Sequence, residues 1–201
     1  MAEDESGRSV TIASDASWRW KAGPILDSEI YHGETYDARQ ELSDWCSASL
    51  DDGDWSAATV VPPPGGPLVA KPNEPMRRVM ELPVQSVTEP TPGTHIFDLE
   101  QNMVGWARLR IRGAKAGTSF TLRFAERLND DGTMYTDNLR AARATDRYTC
   151  RGDGEEVFEP RFTFHGFQFV ELTCDQADYT PHADDITGIV VCSDMRQTGS
   201  F

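Results

Sequence analysis

Hydrophobic and polar residues alternate along two stretches in the middle of the chain. Ala107, Leu109 and Ile111 alternate with arginines, and residues 120–125 alternate phenylalanine or leucine with polar or small residues. A period of two places successive side chains on opposite faces, so each stretch predicts a β-strand with one apolar and one solvated face. The connecting residues 113–117 have the length and the glycines of a hairpin loop, which predicts that the two strands pair.

Shorter patterns predict further strands before and after this pair. Trp18 and Trp20 alternate about an arginine, which predicts a short strand near the N-terminus. Gly166 interrupts the last long aromatic run and predicts a bulge or a bend. The other predicted strands span residues 94–99, 147–150, 156–158, 162–164, 167–172 and 188–191. Short strands separated by turn signals favour an all-β fold, an antiparallel β-sandwich with an additional N-terminal β segment.

Aromatic residues supply the predicted core of this sandwich. Burial of one such ring is worth roughly 1.5–3 kcal/mol, so these rings are expected to be structural first. A lone histidine among them, His165, has no nearby second ligand or nucleophile in the sequence and is expected to be a hydrogen-bonded structural residue. The predicted core residues are Trp106, Phe162, Phe164, Phe167 and Phe169.

Residues 61–67 contain three consecutive prolines, then two glycines and a further proline, the strongest signal in the sequence for a break in regular secondary structure. Such a run continues neither a helix nor a central strand, so it predicts a domain boundary. The sequence therefore divides at about residue 70, with residues 1–70 separate from the residues that follow.

Charge and apolar run length exclude two classes of partner. The formal net charge is −14, from 33 acidic and 19 basic residues. An acidic surface repels phosphate backbones, so nucleic acid is not expected to bind. No apolar run approaches the ~20 residues that span a bilayer, so no membrane partner is expected. The first ten residues lack a basic-then-apolar signal pattern, and the predicted location is cytoplasmic.

The four cysteines do not predict a metal site. Cys46, Cys150, Cys174 and Cys192 are far apart and form no C-x-x-C pair, the usual spacing of structural zinc ligands. Free thiols are the expected state, with two disulfides as the alternative in an exported protein. No organic cofactor is predicted.

Several long segments resemble one enzyme family. FDLEQNMVGWARLRIRG, AERLNDDGTMYTDNLRAARATDRYTCRG and EEVFEPRFTFHGFQFVEL resemble the β-sandwich that precedes the catalytic barrel in bacterial α-L-rhamnosidases. GPILDSEIYHGETYDARQE resembles the end of the N-terminal domain of those enzymes, and ITGIVVCSDMRQTGSF resembles the connector to their catalytic domain. The resemblance implies a jelly-roll, concanavalin-like sandwich over residues 71–193. It also implies the end of the N-terminal domain plus a linker over 1–70 and the start of the connector over 194–201.

The resemblance also carries a functional expectation. In this family the catalytic acid and base belong to the α-helical barrel that follows the sandwich, so no catalytic residue is predicted here. The chain is expected to be a non-catalytic accessory region, with the barrel of the same polypeptide as its partner. The parent would hydrolyse terminal α-L-rhamnose, with inversion. A complete small hydrolase is the rival hypothesis, but Glu155–Glu156 and Asp130–Asp131 fall in turns, where solvated carboxylates are the default.

One segment is a candidate for binding rhamnosides. Aromatic rings stack on the apolar face of a sugar, while carboxylates or a bound Ca²⁺ hold its hydroxyl groups. Some N-terminal domains of the resembled family are calcium-dependent rhamnose-binding modules, which makes an autonomous carbohydrate-binding module the alternative function and Ca²⁺ its possible ion. In the competing interpretation the tyrosines pack against the sandwich. The candidate residues are Tyr31, Glu34, Tyr36 and Asp37.

A second polar group is a candidate docking surface for the barrel. Arginine forks hold carboxylates bidentately, and arginines three residues apart share one side of a helical turn. Two alternatives remain open: an internal network in which Asp137 or Asp146 pairs with an arginine, and direct contact with substrate. The candidate docking residues are Tyr135, Asn138, Arg140, Arg143 and Asp146.

Overall fold

The computed structural model describes residues 2–3, 7, 9–152, 154–196 and 198–199, almost all of them in strands, turns and loops. Short 3-10 helices cover Ala38–Gln40, Asp137–Leu139 and Ala183–Asp185. The strands, in chain order, are β1 (Ala2–Glu3), β2 (Ser9–Val10), β3 (Arg19–Trp20), β4 (Ile25–Glu29), β5 (Gly33–Asp37), β6 (Ser56–Ala57), β7 (Met76–Pro83), β8 (Ser86–Thr91), β9 (Thr94–Arg112), β10 (Ser119–Ala125), β11 (Arg127–Leu128), β12 (Met134–Tyr135), β13 (Thr145–Thr149), β14 (Glu155–Phe158), β15 (His165–Cys174) and β16 (Ile186–Ser193).

The chain forms two compact units. One consists of Met1–Gly23 and Leu42–Ala70, and the other of Pro24–Glu41 and Lys71–Phe201. The sequence assigned all of residues 1–70 to one domain, whereas strands β4 and β5 join the large sheet of the second unit. They do so because β5 pairs in parallel with β13, a strand more than a hundred residues later.

The second unit is an all-β sandwich built on one curled sheet. The strand order is β4-β5-β13-β10-β15-β9-β16-β7, and β8 and β14 also pair with β9. The first part of β9 lies between β8 and β15, and its last part lies between β16 and β14, so this long strand serves both halves of the sandwich. The predicted fold class is confirmed, although β13 and β5 form one parallel pair in an otherwise antiparallel sheet.

The hairpin predicted at residues 113–117 is wrong. β10 pairs with β13 and β15, while the end of β9 pairs with β14 and β16. Each strand therefore has both edges occupied by later parts of the chain, and the glycine-containing loop connects strands that are not neighbours. The alternation itself was correct, since Leu109, Ile111 and Leu122 are fully buried.

Only part of the predicted aromatic core is buried. Phe167 is fully buried, but Trp106 is half-buried and donates from Nε1 to Glu159 at 2.7 Å. Phe162 is 72% exposed, because residues 162–164 form a loop and not the predicted strand. The largest buried rings are Phe97, Phe120, Phe124 and Phe167.

The small unit has short strand pairs and no buried interior. β3 pairs with β6, and Trp18 donates from Nε1 to the Ala13 carbonyl at 3.2 Å. None of its residues with a described burial is buried, and Trp45 is 62% exposed. Hydrogen bonds and ion pairs of exposed groups therefore hold this unit together, and such contacts contribute little each.

Candidate functional site

An open cavity of about 440 Å³ lies between the turn that joins β4 to β5 and the loop before β13. Its walls are mostly apolar, with a few polar groups at the edge. The lining residues are Glu29, Tyr31, His32, Leu139, Arg140, Ala141 and Ala142.

The β4–β5 turn is held by hydrogen bonds to both of its sides. The Glu29 carboxylate accepts from the backbone N–H groups of Tyr31 and His32, each at 2.9 Å. The carbonyls of those two residues accept from the N–H groups of Ala144 and Thr145, each at 3.0 Å. The turn is therefore fixed against the opposite loop.

Glycine is required where this turn enters β5. Gly33 has φ +99°, and a Cβ at this position would lie 2.1 Å from the Thr145 carbonyl oxygen. Both the backbone conformation and the close approach exclude a side chain.

The opposite wall contains a tight turn with an arginine in an unusual conformation. Ala142 donates from its N–H to the Leu139 carbonyl at 3.0 Å, and Arg140 between them has φ 57° and ψ −111°. These angles match the first central position of a type II′ turn, which glycine normally occupies. Arg143, in the same loop, donates from its N–H to His32 Nδ1 at 3.4 Å.

A buried polar network lies next to the turn. Glu34 and Asp146 are both 0% exposed. Asp146 Oδ1 accepts from the Glu34 N–H at 2.9 Å and lies 3.2 Å from Nε2 of buried His165. The Glu34 carboxylate accepts from the Ser28 hydroxyl at 3.0 Å and from the Arg161 N–H at 3.1 Å. Since each group holds a different chain segment, the network ties β5, β13 and β15 together.

The four candidate sugar-binding residues do not converge on one site. Tyr31 is 67% exposed and lines the cavity, whereas Glu34 is buried in the network. Tyr36 stacks on Tyr148 at 5.6 Å and donates to Glu41 at 2.9 Å; burial, with the Glu41 carboxylate, raises the pKa of Tyr36 to about 12.

Asp37 also has a structural environment. It accepts two hydrogen bonds from the Arg39 guanidinium, both at 2.8 Å, and these lower the pKa of Asp37 to about 2. Glu34 and Asp37 therefore use their oxygens on protein donors. Among the described residues, no group of three or more His, Cys, Asp or Glu side chains could hold a metal ion.

The candidate docking residues spread along the loop and into the interior. Arg140 lines the cavity, and Arg143 lies beside it. Tyr135 lines a separate depression of about 300 Å³, and exposed Asn138 donates to Glu126 at 3.2 Å. Fully buried Asp146 contacts no partner surface directly, and its hydrogen-bond partners are a backbone amide and a histidine, not an arginine.

Sequence reasoning missed the pairing of the two cavity walls. Glu29 and Leu139 line the cavity, yet neither belonged to a candidate group. Residues 29–32 and 139–142 are more than a hundred positions apart, and no local pattern links them. The signals available were Gly33, typical of a special backbone conformation, and the nearby aromatic and cationic residues.

Several arginines of the sandwich are paired with carboxylates, whereas the two next to the cavity are not. Arg108 pairs with Glu81 at 2.8 Å and with Glu159 at 2.7 Å, and Arg112 pairs with Asp184 at 2.8 Å. Arg140 and Arg143 form no ion pair with any residue that the structure describes. The cavity edge is thus locally cationic in a chain of net charge −14.

No helix within the described residues is long and apolar enough to cross a membrane.

Comparison with known families matches nearly the whole chain. Residues 88–192 match the bacterial alpha-L-rhamnosidase concanavalin-like domain, and residues 1–80 match the alpha-L-rhamnosidase N-terminal domain. The concanavalin-like match ends inside β16, and the N-terminal match precedes it in the chain.

Curated relatives and solved structures agree with these matches. An alpha-L-rhamnosidase of Streptomyces avermitilis is 51% identical, and the match covers 99% of this chain and 19% of that protein. An alpha-L-rhamnosidase of Formosa agariphila is 39% identical, and the match covers 98% of this chain and 21% of that protein. The crystal structure of the Streptomyces avermitilis enzyme complexed with L-rhamnose superposes with a TM-score of 0.86 at 46% identity, covering 96% of this chain and 18% of that one. The structure of an alpha-L-rhamnosidase from Dictyoglumus thermophilum superposes with a TM-score of 0.89 at 37% identity, covering 94% of this chain and 21% of that one. The chain spans about a fifth of the length of these relatives.

Proposed function

The chain belongs to the bacterial alpha-L-rhamnosidase family, and from this premise we propose that it is a non-catalytic accessory region that supports the catalytic part of such an enzyme. The observation that carries the proposal is the match of residues 1–80 to the N-terminal domain and of residues 88–192 to the concanavalin-like domain. The proposed activity of the whole protein is hydrolysis of terminal α-L-rhamnose.

The carboxylates of the sandwich support a structural role. Buried Glu156 accepts from the Tyr148 hydroxyl at 2.8 Å and from the N–H of Gly152 at 2.8 Å. Its neighbour Glu155 lies 3.6 Å from Arg110. Paired catalytic carboxylates of glycosidases stand ~5–9.5 Å apart across an open cleft, with room for substrate. Glu156 instead closes a turn, so the small-hydrolase hypothesis gains no support from this pair.

The proposed partner is the catalytic barrel of the same polypeptide. Tyr135, Asn138, Arg140 and Arg143 supply exposed or half-exposed aromatic, amide and guanidinium groups along one loop. Aromatic residues and arginine are enriched at protein interfaces. Asp146, which lies in β13 directly after the loop, would support this surface from the interior through its contacts with Glu34 and His165.

The test is an exchange in the Streptomyces avermitilis relative. Replacing its matching region by this chain should preserve folding and hydrolysis of an aryl α-L-rhamnoside, whereas deleting that region should cause aggregation or inactivity. Arg143→Glu in the hybrid should lower its melting temperature, with Lys71→Glu, an exposed cation outside this loop, as the control. Turnover by the isolated 201-residue chain, abolished by one carboxylate change, would refute the proposal.

The second candidate function is carbohydrate binding, and the exposed ring of Tyr31 in the cavity favours it. Aromatic faces at the edge of a small cavity are common in sugar sites. Calorimetry of the isolated chain with L-rhamnose, with and without Ca²⁺, tests this function. Heat that disappears in Tyr31→Ala supports it, and no heat under either condition removes rhamnose as the ligand.

The proposed cytoplasmic location is supported by the thiols. All four cysteines are free, and Cys150 is buried. Proteins of oxidising compartments more often hold such cysteines in disulfides. Cell fractionation tests the location, and recovery of the protein in the culture medium would contradict it.

A further inference from the structure

The arginine at the cavity edge occupies a position where the backbone favours glycine. Arg140 has φ 57° and ψ −111°, and it is the first central residue of the turn closed by the hydrogen bond from the Ala142 N–H to the Leu139 carbonyl. Residues with a Cβ are strained in this region, and strain of this kind concentrates at functional sites. An arginine at a strained position therefore indicates a functional role for its guanidinium group.

That guanidinium has no acidic partner among the described residues. On strand β9, by contrast, Arg108 and Arg112 are each paired with carboxylates. Other described arginines, Arg127 and Arg147 among them, also lack an ion pair, but of the arginines only Arg140 is among the lining residues of this cavity. Arg140, with Arg143 next to it, therefore provides a local site for an anion.

The rest of the cavity has the features of a sugar site. The exposed Tyr31 ring can stack on an apolar sugar face, and the side chains of Leu139 and Ala142 form an apolar wall. Glu29 uses Oε2 on the turn, which leaves Oε1 as a hydroxyl acceptor. His32 accepts through Nδ1, so its Nε2 carries the hydrogen and is a donor.

We propose that this cavity binds a sugar that carries a carboxylate, a uronic acid residue, with Arg140 holding the carboxylate and Tyr31 stacking on the ring. Its volume of about 440 Å³ lies in the range of small-ligand sites. A planar carboxylate suits the guanidinium fork, and a singly charged group is repelled less by Glu29 than a phosphate dianion. The inference rests on the second candidate function, carbohydrate binding, and names its ligand class. In it Arg140 faces the open cavity, and the proposed docking contact with the barrel is left to Tyr135, Asn138 and Arg143.

The test is a titration of the isotope-labelled chain, followed by NMR of the backbone amides. D-galacturonate and D-galactose differ only at C6, where one has a carboxylate and the other a hydroxymethyl group. We expect galacturonate to bind about tenfold more tightly, as one charge-assisted bidentate contact allows, and to shift the amides of Tyr31, His32 and Ala141. Equal affinity for the two sugars, or no shift with either, would overturn the proposal.

Variants separate the guanidinium from the fold. Arg140→Gly fits the turn and should reduce galacturonate affinity about tenfold, to the level of galactose, and Arg140→Lys should fall between the two. Arg127→Gly removes another exposed arginine without an ion pair in the described structure and should leave binding unchanged. Unchanged galacturonate binding in Arg140→Gly contradicts the assignment.

N-acetylglutamate and acetate distinguish a sugar from any other carboxylate. If either binds as tightly as galacturonate, the site recognises carboxylates of peptides and the sugar class is refuted. The scaffold function is tested separately, by the stability and activity of the exchanged rhamnosidase, so failure of uronate binding does not affect that result.

Discussion

At the scale of single residues, the structure reassigns three of the four candidate sugar-binding residues to the fold. Glu34 and Asp37 accept hydrogen bonds from the protein, and Tyr36 stacks in the interior. Their polar or aromatic character was visible in the sequence, but their partners lie on other strands or in a following turn. Only Tyr31 of this group faces the cavity.

The strain at Arg140 gives a prediction about stability. Arg140→Gly should stabilise the protein by about 1 kcal/mol, because the strain of a non-glycine residue in this sparsely populated backbone region, roughly 1–3 kcal/mol, exceeds the entropic cost of glycine, roughly 0.5–1 kcal/mol. Urea unfolding followed by circular dichroism measures the change. Arg143→Gly is the control, since Arg143 is not among the residues with positive φ, and it should be destabilising. A less stable Arg140→Gly protein would contradict the strain argument.

Asp37 gives a prediction about pH. Its folded pKa of about 2 lies below the unfolded value of ~3.9, so the contribution of the ionised group is complete above pH ~5 and is lost as the pH falls towards 2. Because Arg39 is half-exposed and solvent screens the pair, we expect the ionised Asp37 to contribute about 1–2 kcal/mol to the free energy of unfolding.

The stability difference between the natural chain and Asp37→Asn should therefore be constant above pH ~5 and shrink below pH ~4. Urea midpoints from pH ~2.5 to pH ~7 measure it. Asp27→Asn, at an exposed position, should show no such trend, and a pH-independent loss in Asp37→Asn would contradict the assignment.

At the scale of elements, β9 organises the sandwich. It extends over 19 residues and pairs with four other strands. At Gly105 it has β15 on one side and β16 on the other, and a Cβ there would lie 1.8 Å from the Ile189 carbonyl oxygen. The bulge or bend predicted at Gly166 lies slightly later in β15: Gly166 pairs in register with Val104, and the register shifts between Phe167 and Phe169.

Gly105→Ala should destabilise the protein by about 3 kcal/mol or more, because backbone on two strands must move to admit the methyl group. Thermal and urea unfolding measure the loss. Gly166→Ala, where a Cβ meets nothing within 4 Å, is the control and should change stability by less than about 0.5 kcal/mol. Similar stabilities of the two variants would show that β9 tolerates displacement at this point.

At the scale of the whole molecule, the two units differ in what stabilises them. The sandwich unit contains all the buried apolar side chains described, and the small unit contains none. Apolar burial is the main stabilising contribution in folding, so cooperative unfolding should report on the sandwich alone.

Phe124→Ala should therefore cost about 3–5 kcal/mol, because Phe124 is fully buried between His165 and Phe167, with ring centroids at 4.3 and 4.8 Å. Trp45→Ala, a larger deletion at an exposed site of the small unit, should change the free energy of unfolding by less than about 0.5 kcal/mol. Urea unfolding followed by far-UV circular dichroism compares them. An equal loss for both would show that the small unit shares the cooperative transition.

The sequence by itself determined the all-β class, the apolar faces of β9 and β10, and the family. Side-chain alternation reports which face of a strand is buried, and long matching segments report descent. Only the tertiary structure decided which strands pair and which residues meet at the cavity. Alternation carries no information about the neighbouring strand, so the false hairpin at residues 113–117 and the true parallel pair of β5 with β13 were equally compatible with it. Tyr31 and Arg140 line the same cavity because the packing of distant segments brings the β4–β5 turn against the loop before β13.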